Sequence, residues 1–336
     1  MAHFSANRKT SPSAVLALAC LATSTATLAL LAVPASAASR VPNDLKSIAI
    51  TPNGKTAYVV DEQSGTVTPL SLADNKPGRA IRVGNHPLAI AIKPDGKTPY
   101  VASSDAGTVT PITLATGKVG RPIDVLAPEG LTITPDGRTL YVPNFSSYRI
   151  TAIDTSTAKV GHWIGVGNGP WAIAITPNGK TACVTDLLSN TVTVVGLATG
   201  VSSRNINVGS GPEAVAITPD GKKAYVANVF SGTVTPIILA TGRPGRAITV
   251  GKSPDAIAIA PDGKTAYVAS STAGTITPIS VASDKTGRAI PTGADPDSIA
   301  IAPDGKTAYV ANGTAGTVTL INLATGKRER SVKIAG

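Results

Sequence analysis

Sulfur and imidazole are scarce in this chain: its 336 residues hold two cysteines, one methionine and three histidines. Beyond the first 37 residues, only Cys183, His86 and His162 remain of the cysteines and histidines. A single thiol cannot form an internal disulfide, so Cys183 reads as a small buried hydrophobe. Two histidines on distant stretches cannot build a histidine-based zinc site. The sequence contains no CxxCH haem attachment, no HExxH, no GxSxG elbow and no P-loop. Aromatic residues make up 4% and charged residues 15%. Aromatics do not interleave with the basic residues, which argues against a nucleic-acid partner. With 33 glycines and 26 prolines, the composition points to short strands and turns rather than helices.

The N-terminus carries its own signal. Arg8 and Lys9 precede an apolar run, Ala14–Val33, and Ala35-Ser36-Ala37 has the A-x-A form of a cleavage site. Residues 1–37 therefore read as a signal peptide cut after Ala37, which predicts a secreted or cell-surface protein. The run is long enough for an uncleaved anchor as the alternative. The formal net charge is +10; losing two basic and no acidic residues with the leader makes it +8.

After a short stretch, residues 38–45, the chain repeats itself. The proline of a "PDG" or "PNG" phrase falls at Pro52, Pro94, Pro135, Pro177, Pro219, Pro261 and Pro303, at intervals of 42 or 41 residues. Seven copies, starting near residues 46, 88, 129, 171, 213, 255 and 297, fill residues 46–336. Each reads as four strands: "AIAI", a turn "TPDGKT", "TAYVA", a varied loop, "GTVTPI", a turn "LATGK", and a fourth strand of the type "GRAITVG". A four-stranded period near 42 predicts an all-β, seven-bladed β-propeller of antiparallel blades. Two stretches compete for the outer place in the last blade, "SRVPN" (Ser39–Asn43) and "SVKIA" (Ser331–Ala335); the second belongs to a complete copy and is preferred.

The phrases "KTAYVAN", "SGTVTPI" and "LATG" resemble the YVTN-repeat β-propellers. Copy four departs with Cys183 in the tyrosine place, and copy three has Pro143 after "YV". The resemblance implies a seven-bladed propeller, often at a prokaryotic cell surface. Related propellers include sugar-lactone hydrolases and the haem d1 domain of nitrite reductases. Fold alone does not assign activity.

A meander places the four-to-one and two-to-three loops on one face, the top, where the copies vary most. One top position precedes each inner strand. Its occupants are Lys46, Leu88, Glu129, Trp171, Glu213, Asp255 and Asp297. Four of the seven are acidic, so this position is the candidate ligand site, joined by His86, Asn144, Phe145, Tyr148 and Phe230 from neighbouring top loops. No cofactor is expected; Glu213, Asp255 and Asp297, with Asp295 and Asp44 close by in sequence, leave room for a divalent cation, a hard charge that prefers carboxylate oxygens. The basic excess, for example Lys76, Arg79, Arg243, Arg246 and Arg288, falls on the opposite rim, which suits an anionic polymer.

The leading expectation is a monomeric, non-catalytic binding module that meets a cell-envelope protein or carbohydrate through its top face. The alternative is a lactonase-type hydrolase using the acidic top cluster. A redox-cofactor propeller is the third reading and lacks histidine ligands.

Overall fold

The "PDGK" turn shows how the repeat is held. In a computed structural model, which describes residues 44–334, Thr218 Oγ1 donates to Asp220 Oδ1 at 2.6 Å, and the same oxygen accepts Lys222 N–H at 3.0 Å. Gly221 closes the turn at φ +69°, in the left-handed region that side chains disfavour. The leader segment and the "SRVPN" stretch lie outside the described residues.

Each turn glycine also meets the proline of the preceding copy. A β-carbon added at Gly96 would lie 3.5 Å from Pro52, one at Gly263 3.4 Å from Pro219, and one at Gly54 3.4 Å from Pro303. The last contact joins copy one to copy seven, so these Pro–Gly contacts run right round the bottom. Gly221→Ala should lower the unfolding free energy by about 1–2 kcal/mol, because alanine must then adopt the left-handed conformation. A urea midpoint unchanged by that substitution would remove the requirement.

The fold is all-β: seven antiparallel sheets, one per copy. Inner strands run Leu45–Ile50, Pro87–Ile92, Thr132–Ile133, Pro170–Ile175, Pro212–Ile217, Pro254–Ile259 and Pro296–Ile301, and each packs beside the next. Leu45–Ile50 packs against Pro296–Ile301, which closes the ring. The second strands, such as Thr265–Ser270, are buried almost throughout because blades cover both faces. Core clusters therefore straddle neighbouring blades: Tyr58, Val60 and Val67 of blade one pack with Ile90, Val101 and Ile112 of blade two. At the seam, Leu45 and Val59 pack with Tyr309, Leu320 and Ile334.

Among the described residues no strand is exchanged at the seam. The C-terminal strand Lys327–Lys333 pairs with Thr317–Asn322 of its own copy. Cys183 is buried and free, and burial pushes its thiol up to about 12, so it packs rather than reacts.

The outer strands depart from the continuous fourth strand read from the repeat. Blades one, two, five and six carry Pro69, Pro111, Pro236 and Pro278 in the third strand, and their outer pairing is broken into short pieces. Proline offers no N–H to that neighbour, and the chain turns aside to bond its carbonyl instead, as in Gly78 N–H to Pro69 O at 2.7 Å. Blades three, four and seven have Ala152, Val194 and Leu320 there, and their outer strands are unbroken: Val160–Gly165, Val201–Asn207 and Lys327–Lys333.

Candidate functional site

The variable top position has a backbone cause. Pairing between first and second strands slips at Leu45/Ser47, Pro87/Ala89, Pro170/Ile173, Pro212/Ala214, Pro254/Ala256 and Pro296/Ser298. Lys46, Leu88, Trp171, Glu213, Asp255 and Asp297 thus occupy β-bulges, which release a residue from the ladder and re-aim its side chain. Blade three lacks the bulge; Glu129 sits in a loop whose N–H reaches Pro143 O at 3.4 Å. All seven residues are half-buried.

Lys46 is the hub. Its Nζ lies 3.2 Å from Asp297 Oδ2, 3.2 Å from Asp44 Oδ1 and 3.7 Å from Glu62 Oε2. Burial opposes its charge, but Asp297, Asp44 and Glu62 outweigh that and hold the ammonium above its usual range. Glu62 also binds outward: His86 Nδ1 is 3.0 Å from its Oε1, and His86 Nε2 is 3.5 Å from Asp105 Oδ2. A polar chain therefore runs Asp105–His86–Glu62–Lys46–Asp297. Glu62, His86 and Asp105, with Arg82, line a cleft of about 300 Å³ beside the channel.

The remaining carboxyls hold their protons unusually well. Burial pushes Glu213 up to about 8; Asp255 and Asp297 add to the shift and Lys46 opposes it. Asp297 rises to about 7 through burial, against the pull of Lys46 and with Asp295 reinforcing it. Burial lifts Asp255 to about 6, against its hydrogen bond from Ser271 N–H at 3.2 Å. Glu129 is raised by burial, although Ser104 Oγ donates to it at 2.8 Å. At neutral pH the mouth thus holds protonated and ionised carboxyls around one ammonium, the mixture that acid–base chemistry needs.

One expectation needs correction. Asn144 is not a top-face ligand: it is fully buried, its Nδ2 donates to Leu126 O at 2.6 Å and its Oδ1 accepts from Thr151 Oγ1 at 2.5 Å. It fills the place held in other blades by Asp61, Asp186, Asn228 and Asn312, all buried at the end of the second strand. Of the expected acidic cluster, Asp44, Asp295 and Asp297 are the members that gather among the described residues: one oxygen from each lies within 4.8 Å of the others. A β-carbon added at Gly313 would sit 2.5 Å from Asp297, 2.9 Å from Asp44 and 3.2 Å from Asp295. Lys46 already pairs with two of the three and so provides their countercharge.

Blades three to five supply an apolar side. Phe145 meets Trp171 edge-on, with centroids 5.7 Å apart and planes at 82°. Tyr148 and Leu188 are exposed nearby in sequence, and Phe230 is 68% exposed. The partners Glu62 and Asp105 were the residues least legible from the repeat. Glu62 and Asp105 lie in varied two-to-three loops, and nothing local shows that Glu62 faces both a lysine and a histidine.

Fold and mouth together define a closed propeller with a carboxylate-lined channel opening. A family model described as "Lactonase, 7-bladed beta-propeller" matches residues 21–335, and the chain belongs to that family. No curated protein matches it. Among solved structures, it is similar to Kuenenia stuttgartiensis hydrazine synthase, with a TM-score of 0.79 and 25% identity over 87% of this chain and 99% of that one. A functionally unknown protein from Desulfotomaculum acetoxidans DSM 771 shares the fold, with a TM-score of 0.73 and 19% identity over 83% of this chain and 95% of that one.

Proposed function

We propose that the channel mouth hydrolyses lactones. The observation that carries this is the set Glu213, Asp255 and Asp297, delivered by three consecutive bulges, with proton affinities spread between about 6 and about 8 beside the Lys46 ammonium. Family membership supports the substrate class. The YVTN-like wording of the repeat and the export signal in residues 1–37 belong to the same proposal: an exported propeller working outside the cytoplasm.

The chemistry follows from the protonation states. Ionised Asp255 takes a proton from water as the water oxygen bonds to the lactone carbonyl carbon. Lys46 stabilises the resulting oxyanion by its charge. The ring C–O bond then breaks, and protonated Glu213 gives its proton to the departing alkoxide, leaving a hydroxy acid. Asp297 and Asp44 hold Lys46 in place.

The test is turnover of a neutral γ-lactone followed by acid release. The expected kcat/KM profile is bell-shaped, with flanks near pH 6 from Asp255 and near pH 8 from Glu213. Asp255→Asn should lower kcat by at least about 100-fold. Turnover insensitive to that substitution, or no rate above buffer, rejects the reading. The second reading, a binding module that meets an envelope component without turnover, is favoured by the exposed Phe230 and Leu188. Binding of the lactone with no acid released would select it.

A further inference from the structure

Aromatic residues are rare in this protein, and their distribution is uneven. Phe145 and Phe230, the two phenylalanines among the described residues, both sit in top loops rather than in the core. The core is filled by valine, isoleucine, alanine and tyrosine. Trp171 stands at the bulge of blade four, directly before Glu213 in blade five, and these two inner strands pack side by side.

These side chains form a fixed shelf rather than loose tips. A β-carbon added at Gly169 would lie 2.8 Å from Leu188 and 3.1 Å from Phe145, so both side chains close over the backbone leading into Trp171. At Gly211 an added β-carbon would strike the Phe230 ring at 2.4 Å. Phe230 therefore packs against the backbone that leads into Glu213, while 68% of the residue stays exposed to solvent. Each glycine has positive φ, +66° and +68°, so backbone and ring position are set together.

The other side of the mouth carries more carboxyls than cations. Even with Glu213 protonated, Asp44, Glu62, Asp255, Asp295 and Asp297 are set against a single ammonium, Lys46, which is already paired with Asp297 and Asp44. A second anion brought here meets repulsion, while a neutral or cationic group meets none. Apolar surface and negative charge side by side select an amphipathic ligand without negative charge.

We infer that the substrate is a neutral or cationic lactone bearing an apolar substituent, with its ring beside Glu213, Asp255 and Lys46 and its substituent on Trp171, Phe145 and Phe230. Lactones carrying a carboxylate or phosphate are refused. The inference rests on the mouth being a lactone-hydrolysing site, and it adds which lactones that site accepts.

Three γ-lactones sharing one ring test it at pH 7: unsubstituted, phenyl-substituted and carboxylate-substituted. The phenyl compound should exceed the unsubstituted one in kcat/KM by at least about 10-fold, and the carboxylate compound should fall about 10-fold below it. Trp171→Ala should erase most of the phenyl preference, read as a ratio within each variant. Trp163→Ala should keep that ratio, because Trp163 lies on an outer strand under Arg149. A carboxylate compound turned over as fast as the unsubstituted one overturns the inference, as does a phenyl preference that survives both Trp171→Ala and Phe230→Ala. Should no lactone be hydrolysed, the hydrolase reading fails by itself. The shelf is then judged by calorimetric binding of the matching phenyl and carboxylate lactams: tighter binding of the phenyl lactam, lost in Trp171→Ala, sustains it, and equal or absent binding overturns it.

Discussion

Lys46→Met is expected to lower the unfolding free energy by about 2–3 kcal/mol at pH 8 and to abolish lactone turnover. The lysine sits within 3.7 Å of Asp44, Glu62 and Asp297, so its loss leaves three carboxylates facing one another without a cation. The side chain keeps 31% of its exposure, and solvent screening holds the loss below that of a fully buried pair. The raised proton affinity of Lys46 means that its stabilisation is present across the neutral range and fades only at strongly alkaline pH. Towards pH 5 the penalty of the substitution should shrink, because Asp297, at about 7, is protonated there in the parent and no longer needs the ammonium. Thermal denaturation at both pH values checks this. An equal loss at each would mean that Lys46 acts through packing of its carbon stem.

Glu213→Gln should act in the opposite direction. Its carboxyl is lifted from about 4.5 to about 8 by folding, so the folded state resists the ionisation that the unfolded chain undergoes. Stability contributed by the neutral form is complete below the unfolded value and is lost as pH rises towards 8. Glutamine cannot ionise, so the variant should match the parent near pH 4 and exceed it by about 2–3 kcal/mol at pH 8, allowing for contact with channel water. Turnover should fall together with this gain, since the proton donor is gone. A destabilised variant at pH 8 would show that the glutamate is held there by contacts that glutamine cannot make. Opposite signs for stability and activity at one residue mark a group placed for chemistry.

The architecture was open to reading because it repeats. The spacing of Pro52 through Pro303 set the blade count, and the "PDG" phrase names its own turn. The site position was also visible as the one that changes between copies, from Lys46 to Asp297. Asp44, two residues before Lys46, and Asp295, two before Asp297, stood beside it in the sequence, and the structure gathers them with Asp297 around Gly313. The rest of its surroundings was not visible: Glu62 reaches Lys46 across a neighbouring loop. Asn144 misled because its loop is exposed while its own side chain turns inward to Leu126 and Thr151. The broken outer strands had a local signal in Pro69, Pro111, Pro236 and Pro278. The regularity of "GRAITVG" concealed it.

Those prolines bear on how the molecule behaves in a crowd of its own copies. A propeller turns one strand edge per blade towards its neighbours, and a long bare edge invites sheet-to-sheet fusion and, eventually, fibres. In blades one, two, five and six the edge is interrupted where a second molecule would have to register against it. The three intact edges carry charge instead, with Lys159 beside one, Arg204 on the second and Lys327, Arg328 and Arg330 on the last, all exposed. Colloidal stability of the ring is thus built into the third strand of the repeat, on the side of the molecule farthest from the chemistry.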